Sequence, residues 1–524
     1  MTPSFELRSV LTVGAIAAGL SLVLRATFAK GRQYKAAKGY SLPPGPTPIP
    51  IIGSALSIKA SEPWVTYAQW SARYGDIFMI RVLNQDIIVI SSEKIAKALL
   101  ERRSSVYSDR PYLATREPFG WTFNFGWTPY GDRWRSQRRM FHQVFRADAA
   151  VAFHPVQLQK ARQLVLDLLN SPGDYATHLQ RFSAAVIMSI VYDYEIDPHH
   201  DHLVELFERG NSLAMEGLTP ESASVVATFP FVLSLPEWFP GARLARKATL
   251  SKQCAMQMIS EPFEHARKRV ADGTASPGMA PDLLRTIEDA GDSARIQLVK
   301  ETCASAFVAG AETATSTLHF FVLAMLQYPQ VQKRAQAEID EVVGVGRLPN
   351  FDDRSSLPYV EAVLRETLRM YPVAPLGKYN LQCKHFYFDD SQGFHTRPRV
   401  TTALSLGRAM YRNEDKYPEP NVFKPERFFV GGRLNDEVST ASLVFGFGRR
   451  MCPGRYTADA SVWAAMVTIL SLLNISKPLD DQGNEIEVNP QFTYGVTTAP
   501  LPFPCSITPR QPGLDISKLL EPVV

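Results

Sequence analysis

One run of sequence sets the scale of the fold. From about Asp292 to Tyr328 the chain keeps a helical pattern without a breaker, until Pro329 ends it. At ~1.5 Å per residue such a helix is about 50 Å long, enough to cross a whole domain. It is apolar over most of its circumference, which places it in a core rather than on a surface. The 524 residues carry no internal repeat or low-complexity tract and are long enough to build that core. The pattern is mostly helical from about residue 130 to 375. Alternating apolar residues predict a hairpin over Ile77 to Val82 and Asp86 to Ser91, and short strands over Ile475 to Val488 and Val496 to Ile507. The expected fold is mainly α with small β-sheets at the edges, an α+β arrangement around one long central helix.

Composition removes several function classes. Hydrophobic residues make up 45% and charged residues 21%, which fits a packed protein and excludes a disordered one. A net charge of +4, with no basic stripe interleaved with aromatics, gives no ground for nucleic-acid binding. The five cysteines, Cys254, Cys303, Cys383, Cys452 and Cys505, are odd in number and scattered, with no CxxC pair. That pattern argues against a disulfide framework or a zinc site and suits a reducing compartment.

The chemistry concentrates in Phe445-Gly446-Phe447-Gly448-Arg449-Arg450-Met451-Cys452-Pro453-Gly454. The glycines let the backbone bend and approach a neighbour closely. A thiolate needs a positive or hydrogen-bonding setting, and the helical stretch from about Tyr456 to Leu473 offers its N-terminus to Cys452. Taken alone, Cys452 also reads as a buried free cysteine. In the long helix, Ala309-Gly310-Ala311-Glu312-Thr313 leaves room for a ligand, and Thr313 can bond back to the carbonyl of Ala309. The same run also reads as a small-residue helix–helix contact. Glu366 and Arg369, three apart, share a helix face and read equally as a surface ion pair. Trp134 and Arg138 share another face, where arginine suits a carboxylate, or simply form a basic amphipathic helix.

Together these residues resemble the cytochrome P-450 family, in whose haem-binding loop Phe-x-x-Gly-x-Arg-x-Cys-x-Gly surrounds the axial cysteine. Phe445, Gly448, Arg450, Cys452 and Gly454 match without a gap. The resemblance runs from a proline-rich stretch near residue 43 to the C-terminus, in the style of fungal microsomal members. It implies haem b (iron protoporphyrin IX) with Cys452 as the iron's axial ligand. It implies Glu312 and Thr313 as the acid–alcohol pair of proton delivery, with glutamate where aspartate often stands. Trp134, Arg138 and Arg450 would hydrogen-bond haem propionates. Arg427, from Phe423-Lys424-Pro425-Glu426-Arg427-Phe428, would close a Glu366–Arg369–Arg427 network holding the loop before Cys452. One segment departs from the family pattern. From Lys378 to about Gly407 a Pro-His pair and a Pro-Lys-Gly-like turn are missing, which touches one pocket wall and one propionate contact.

The implied reaction is monooxygenation of an apolar small molecule: a terpenoid, steroid, fatty acid or aromatic, in fungal secondary metabolism or xenobiotic oxidation. No GxGxxG occurs, so nicotinamide is not expected to bind this chain directly. Electrons would come from a membrane-bound NADPH-dependent flavoprotein reductase, docked on Arg133, Arg135, Arg449 and Arg455. Two rivals stand beside this reading. One is a catalytically impaired haem- or ligand-binding membrane protein, made so by 378–407. The other is a haem-thiolate isomerase or dehydratase, against which Glu312-Thr313 counts.

The N-terminus carries an apolar run from Ser9 to Leu24, followed by Lys30, Arg32, Lys35 and Lys38. It predicts a single-pass anchor in the endoplasmic reticulum membrane with the rest of the chain, a monomer, on the cytoplasmic side. The expected division is an anchor over 1–30, a proline-rich hinge over 31–60 and a catalytic domain over 61–524. Phe229, Phe231, Trp238 and Phe239 predict an apolar lid that dips into the bilayer, with a core-packed loop as the alternative. The aromatics Phe119, Trp121, Phe123, Phe125 and Trp127 predict the facing wall of the pocket.

Overall fold

A computed structural model of the chain describes residues 43–511 and 519–520, apart from 51, 60–61, 83–84, 198–199, 237, 240–241, 288–291, 378–379, 383–384, 390–392, 398–400, 406, 436–440 and 494. The expected anchor over 1–30 lies outside the described residues. The chain divides into two compact units, one of residues up to 111 together with 376–409, the other of 112–375 and 410–524.

The smaller unit is built on a sheet. β1 (Ile77–Val82) and β2 (Gln85–Ile90) pair antiparallel as the predicted hairpin. The segment that departs from the family pattern supplies β3 (Asn380–Gln382), β4 (His385–Asp389), β5 (Gly393–Arg397) and β6 (Thr401–Ser405). β6 lies parallel to β2 and antiparallel to β3, giving the order β1-β2-β6-β3, while β4 and β5 form their own hairpin. Helix α1 (Pro63–Tyr74) lays Trp64 and Tyr67 on Phe78, Ile80, Ile87, Val89 and Leu404 to make the unit's core. The described start of the proline-rich stretch lies against β1. The Met79 amide donates to the Pro44 carbonyl at 2.8 Å, and a Cβ on Gly45 would sit 1.9 Å from the Met79 oxygen.

The larger unit is helical. Its principal helices are α2 (Asp132–Phe145), α3 (His154–Asn170), α4 (Tyr175–Tyr192), α5 (His202–Gly217), α6 (Pro220–Thr228), α7 (Arg243–Ala271), α8 (Ser293–Gln327), α9 (Pro329–Val342), α10 (Pro358–Met370) and α11 (Arg455–Leu472). α8 is the predicted long helix, capped by the Asp292 carboxylate on the Arg295 amide at 2.9 Å. It is long and apolar enough to cross a bilayer, but 67% of its most apolar window is buried inside the unit. Phe307, Leu318 and Phe320 to Leu326 are all buried, each worth roughly 1.5–3 kcal/mol against exposure. α11 follows the same rule, with Trp463 to Leu470 buried almost throughout.

Two expectations change here. The late strands are shorter than the alternation predicts: after the small hairpin of β7 (Phe429–Val430) and β8 (Arg433–Leu434), the strands described are β9 (Leu473–Ser476) and β10 (Ser506–Pro509), which pair with each other. The alternation beyond them belongs to extended loops, where Leu479 and Ile486 are exposed. The aromatic run from Phe119 to Trp127 is core rather than pocket lining, all five rings being buried. Polar ties explain why. Trp121 Nε1 donates to Ser251 of α7 at 3.1 Å, and Ser305 of α8 accepts from the Phe125 amide at 3.0 Å. These bonds hold the run against both helices.

Candidate active site

All of the sequence-predicted site residues lie in the larger unit. The Cys452 loop is closed by its own backbone. The Cys452 amide donates to the Phe445 carbonyl at 2.8 Å, and the Met451 amide to that of Gly448 at 3.1 Å. Gly446 and Gly448 make the bend with φ of 84° and 58°, the left-handed region that favours glycine. Gly454 caps α11, so Cys452 stands just before a helix N-terminus, where anionic sulfur is favoured. Cys303 and Cys505 lack such a setting. Burial pushes the Cys303 thiol far up and that of Cys505 up to about 12, so neither is a thiolate near neutral pH.

Side chains from α2 converge on this loop. Arg138 Nη1 donates to the Met451 carbonyl at 2.6 Å. Burial pulls the Arg138 guanidinium below its ordinary value, and the charge of Cys452 partly offsets this. Arg450 lies 4.5 Å over the Trp134 ring and donates to the Thr128 carbonyl at 2.9 Å. Trp134 Nε1 is buried and has no hydrogen-bond partner among the described residues. A buried indole N–H normally finds an acceptor. An iron porphyrin with carboxylate arms would bring one to it, beside two guanidinium groups. A Cβ on Gly446 or Gly454 would meet nothing within 4 Å, so the loop also keeps open space beside it. These residues therefore fit a haem held by Cys452.

The middle of α8 has two faces. On one, Gly310 packs so closely on α4 that a Cβ would sit 2.7 Å from Ile187. There the helix–helix reading of the small residues is the right one. On the other face Ala309 and Thr313, four apart, are exposed between two buried stretches, 301–308 and 316–326 apart from half-buried His319. Thr313 Oγ1 donates to the Ala309 carbonyl at 2.8 Å, leaving its oxygen free to accept. Among the described residues Glu312 forms no ion pair, and its hydrogen-bond partners are neutral. Its Oε2 accepts from Asn211 Nδ2 of α5 at 2.9 Å, and its Oε1 from the Thr497 hydroxyl. No sequence signal marked Asn211 or Thr497, which are far from Glu312 along the chain and belong to no motif.

Glu366, Arg369 and Arg427 meet in a fully buried cluster. Arg369 grips Glu366 with two bonds of 2.6 and 2.8 Å, and Arg427 Nε adds a third at 3.0 Å. The side chains of Glu366 and Arg369 are 0% exposed and that of Arg427 5%. The spare donors reach backbone: Arg369 the carbonyls of Tyr411 and Pro420, Arg427 those of Pro418, Glu419 and Val422. The cluster thus pins residues 411–427 to α10.

The basic face is less open than expected. Arg133 pairs with Glu301 of α8, so its charge is already matched by an internal carboxylate. Arg135 pairs with Asp132 at 2.5 Å and lies 5.4 Å over the Tyr130 ring. Arg449 donates to the Tyr130 hydroxyl at 2.6 Å. The lid aromatics are exposed, Phe231 at 62% and Trp238 at 80%.

Comparison with known proteins agrees with this geometry. The sequence profile of the family described as Cytochrome P450 matches residues 43–503. Cytochrome P450 monooxygenase COX2 of Coprinopsis cinerea is 34% identical over 98% of this chain and 96% of its own length. Cytochrome P450 monooxygenase ple1 of Rhodocybe pseudopiperita is 34% identical over 90% of both chains. Tryptamine 4-monooxygenase of Psilocybe cyanescens is 34% identical over 94% of this chain and 97% of its own.

Proposed function

Because the chain belongs to the cytochrome P450 family and is a monooxygenase, we propose that Cys452 is the axial thiolate of its haem and Glu312 with Thr313 its proton-delivery pair. The observation that carries the site reading is the convergence of Trp134, Arg138 and Arg450 on the Cys452 loop. When bound, the haem supplies dioxygen activation, with one oxygen atom entering substrate and the other leaving as water. The α11 N-terminus and Arg138 keep the Cys452 sulfur anionic. Trp134 Nε1, Arg138 and Arg450 hold the carboxylate arms, and Phe445, Gly448 and Gly454 shape the loop. Thr313, exposed at mid-helix, accepts and presents a proton that Glu312 supplies. Glu366, Arg369 and Arg427 keep the segment leading to the loop in one arrangement.

The substrate is an apolar small molecule, oxidised in secondary metabolism or xenobiotic oxidation, and the fungal origin of the similar monooxygenases supports a fungal setting. The exposed lid aromatics and the apolar N-terminal run support attachment to the endoplasmic reticulum membrane by residues 1–30, the catalytic domain over 61–524 facing the cytoplasm. Arg135, Arg449 and Arg455, rather than Arg133, form the basic face for an NADPH-dependent flavoprotein reductase. The decisive experiment is expression of wild type and Cys452→Ala in membranes with that reductase and a panel of terpenoids, steroids, fatty acids and aromatics. Wild type should show the thiolate-type carbon monoxide spectrum and oxidise at least one class; Cys452→Ala should do neither. Retention of that spectrum in the variant would remove Cys452 from the iron.

A further inference from the structure

Glu312 is held by two neutral groups from two different elements. Asn211 stands on α5 and donates through Nδ2 to Oε2. Thr497 stands in the loop before β10 and donates to Oε1. That loop is fixed in its own right: the Thr498 amide donates to the Val373 carbonyl at 2.8 Å, and Gly495 takes a φ of 152°. Both carboxylate oxygens are therefore occupied, and the side chain is aimed before any substrate enters.

The nature of the partners matters more than their number. A carboxyl that gives up one proton and later regains one from water changes, at one oxygen, between donor and acceptor. A lysine or arginine partner serves the carboxylate only, since it has no acceptor. A hydroxyl donates to a carboxylate and accepts from a carboxylic acid. A primary amide does the same by turning over, exchanging N–H for C=O. The Asn211 Oδ1 is buried and has no hydrogen-bond partner among the described residues. An orphan acceptor on the amide beside an acid is what such an exchange requires.

We propose that Asn211 and Thr497 are positioning residues for Glu312, holding its carboxyl in both protonation states and so setting the efficiency of proton delivery through Thr313. The proposal rests on the reading of Glu312 and Thr313 given above. It adds two positions, on α5 and in the 495–499 loop, that tie substrate-side elements to the proton path.

The test uses the full-length holoenzyme with its reductase and four variants: Thr497→Val, Thr497→Ser, Asn211→Leu and Glu312→Gln. Two quantities are read: peroxide released per product formed, and the infrared carboxyl stretch of Glu312, isolated by subtracting the Glu312→Gln spectrum. Thr497→Val should raise the peroxide-to-product ratio by about 2–10-fold, the effect of one neutral hydrogen bond. Thr497→Ser should restore it, and Asn211→Leu should behave as Thr497→Val. In both uncoupled variants the carboxyl band should shift, a change that needs no turnover, while the carbon monoxide spectrum stays intact. Should Thr497→Val fail to fold, Asn211→Leu decides alone. Parental coupling and an unmoved band in the folded variants would overturn the proposal. If that happens while Glu312→Gln is uncoupled, only the two positioning assignments fall. If Glu312→Gln is itself coupled as the parent is, the proton-delivery reading falls and this proposal with it.

Discussion

Two glutamates of the larger unit are held in opposite ways. Glu366 sits among two arginines and a backbone amide, with no exposed side-chain surface. Glu312 sits between an amide and a hydroxyl, next to the open face of α8. The first arrangement is all donors and suits a charge that stays where it is. The second can give and take, and it borders the exposed residues Ala309 and Thr313. On the roles proposed above, one residue type serves architecture in one place and chemistry in another. Burial differs as well, Glu366 being buried and Glu312 half-buried, and the protonation chemistry of the neighbours marks one as a fixed charge and the other as one that can change.

The contrast breaks most sharply at Arg369. Arg369→Ala removes two of the four hydrogen bonds to buried Glu366 and strips the Tyr411 and Pro420 carbonyls of this donor, so it should cost about 3–5 kcal/mol, the penalty for breaking a buried ion pair. Folded enzyme, read as yield of the carbon monoxide spectrum and as thermal midpoint, should fall steeply. Glu312→Gln should leave both near the parent. Equal losses for the two would erase the distinction. Thr313→Ala sharpens it from the other side. Among the described residues its hydroxyl bonds to its own helix alone, so stability should move by less than about 0.5 kcal/mol while peroxide release rises several-fold over product. Unchanged coupling would make the open face of α8 chemically silent.

Exposure at the lid has a different meaning from exposure at Thr313, and a membrane assay separates them. In a chain shortened to remove residues 1–30, Trp238→Ser with Phe239→Ser should weaken binding to phospholipid vesicles by about 3–10-fold. Intrinsic haem content should not change. Vesicle binding equal to that of the shortened parent would return these rings to ordinary surface. The smallest effect is a pH dependence on α8 itself. Burial holds the His319 imidazole below its ordinary 6.5, only partly offset by the Ala176 carbonyl at 3.4 Å, with Tyr175 edge-on. The native state keeps it neutral, so its contribution to stability is complete above pH 6.5. It is lost as pH falls from there through the depressed value. His319→Gln should flatten the fall of the melting temperature on that acid side, by on the order of 2 °C. A parallel fall in both proteins would clear His319 of the effect.

What the sequence revealed follows the range of the interactions. The Cys452 loop was legible because its glycines, arginines and cysteine act within ten residues and lead into α11. The back-bond of Thr313 was legible because it spans one helical turn. α8 announced itself by an apolar run that only Pro329 stops. Arg427 was reachable only through family resemblance, being remote from Glu366 in sequence. Asn211 and Thr497 were not reachable at all, since nothing local ties an asparagine on α5 or a threonine in a loop to Glu312. The aromatics from Phe119 to Trp127 misled for a related reason. Apolar rings look alike whether they line a cavity or fill a core, and only Ser251 and Ser305 on distant helices decide the matter. The stretch after β9 misled because alternation is shared by strands and by extended loops, and pairing depends on a partner that composition does not name.

The buried arginine cluster also bears on how the chain is made. Glu366 and Arg369 leave the ribosome together, but Arg427 follows about 60 residues later, roughly 3–12 s at ordinary rates of synthesis. Through that interval the carboxylate has one guanidinium where the finished protein gives it two, and the carbonyls from Pro418 to Val422 await the other. Cys452 emerges later still. On the proposed assignment of Cys452, the residues that would hold the haem are completed from the C-terminal third of the chain, which puts cofactor capture among the last events in the enzyme's birth.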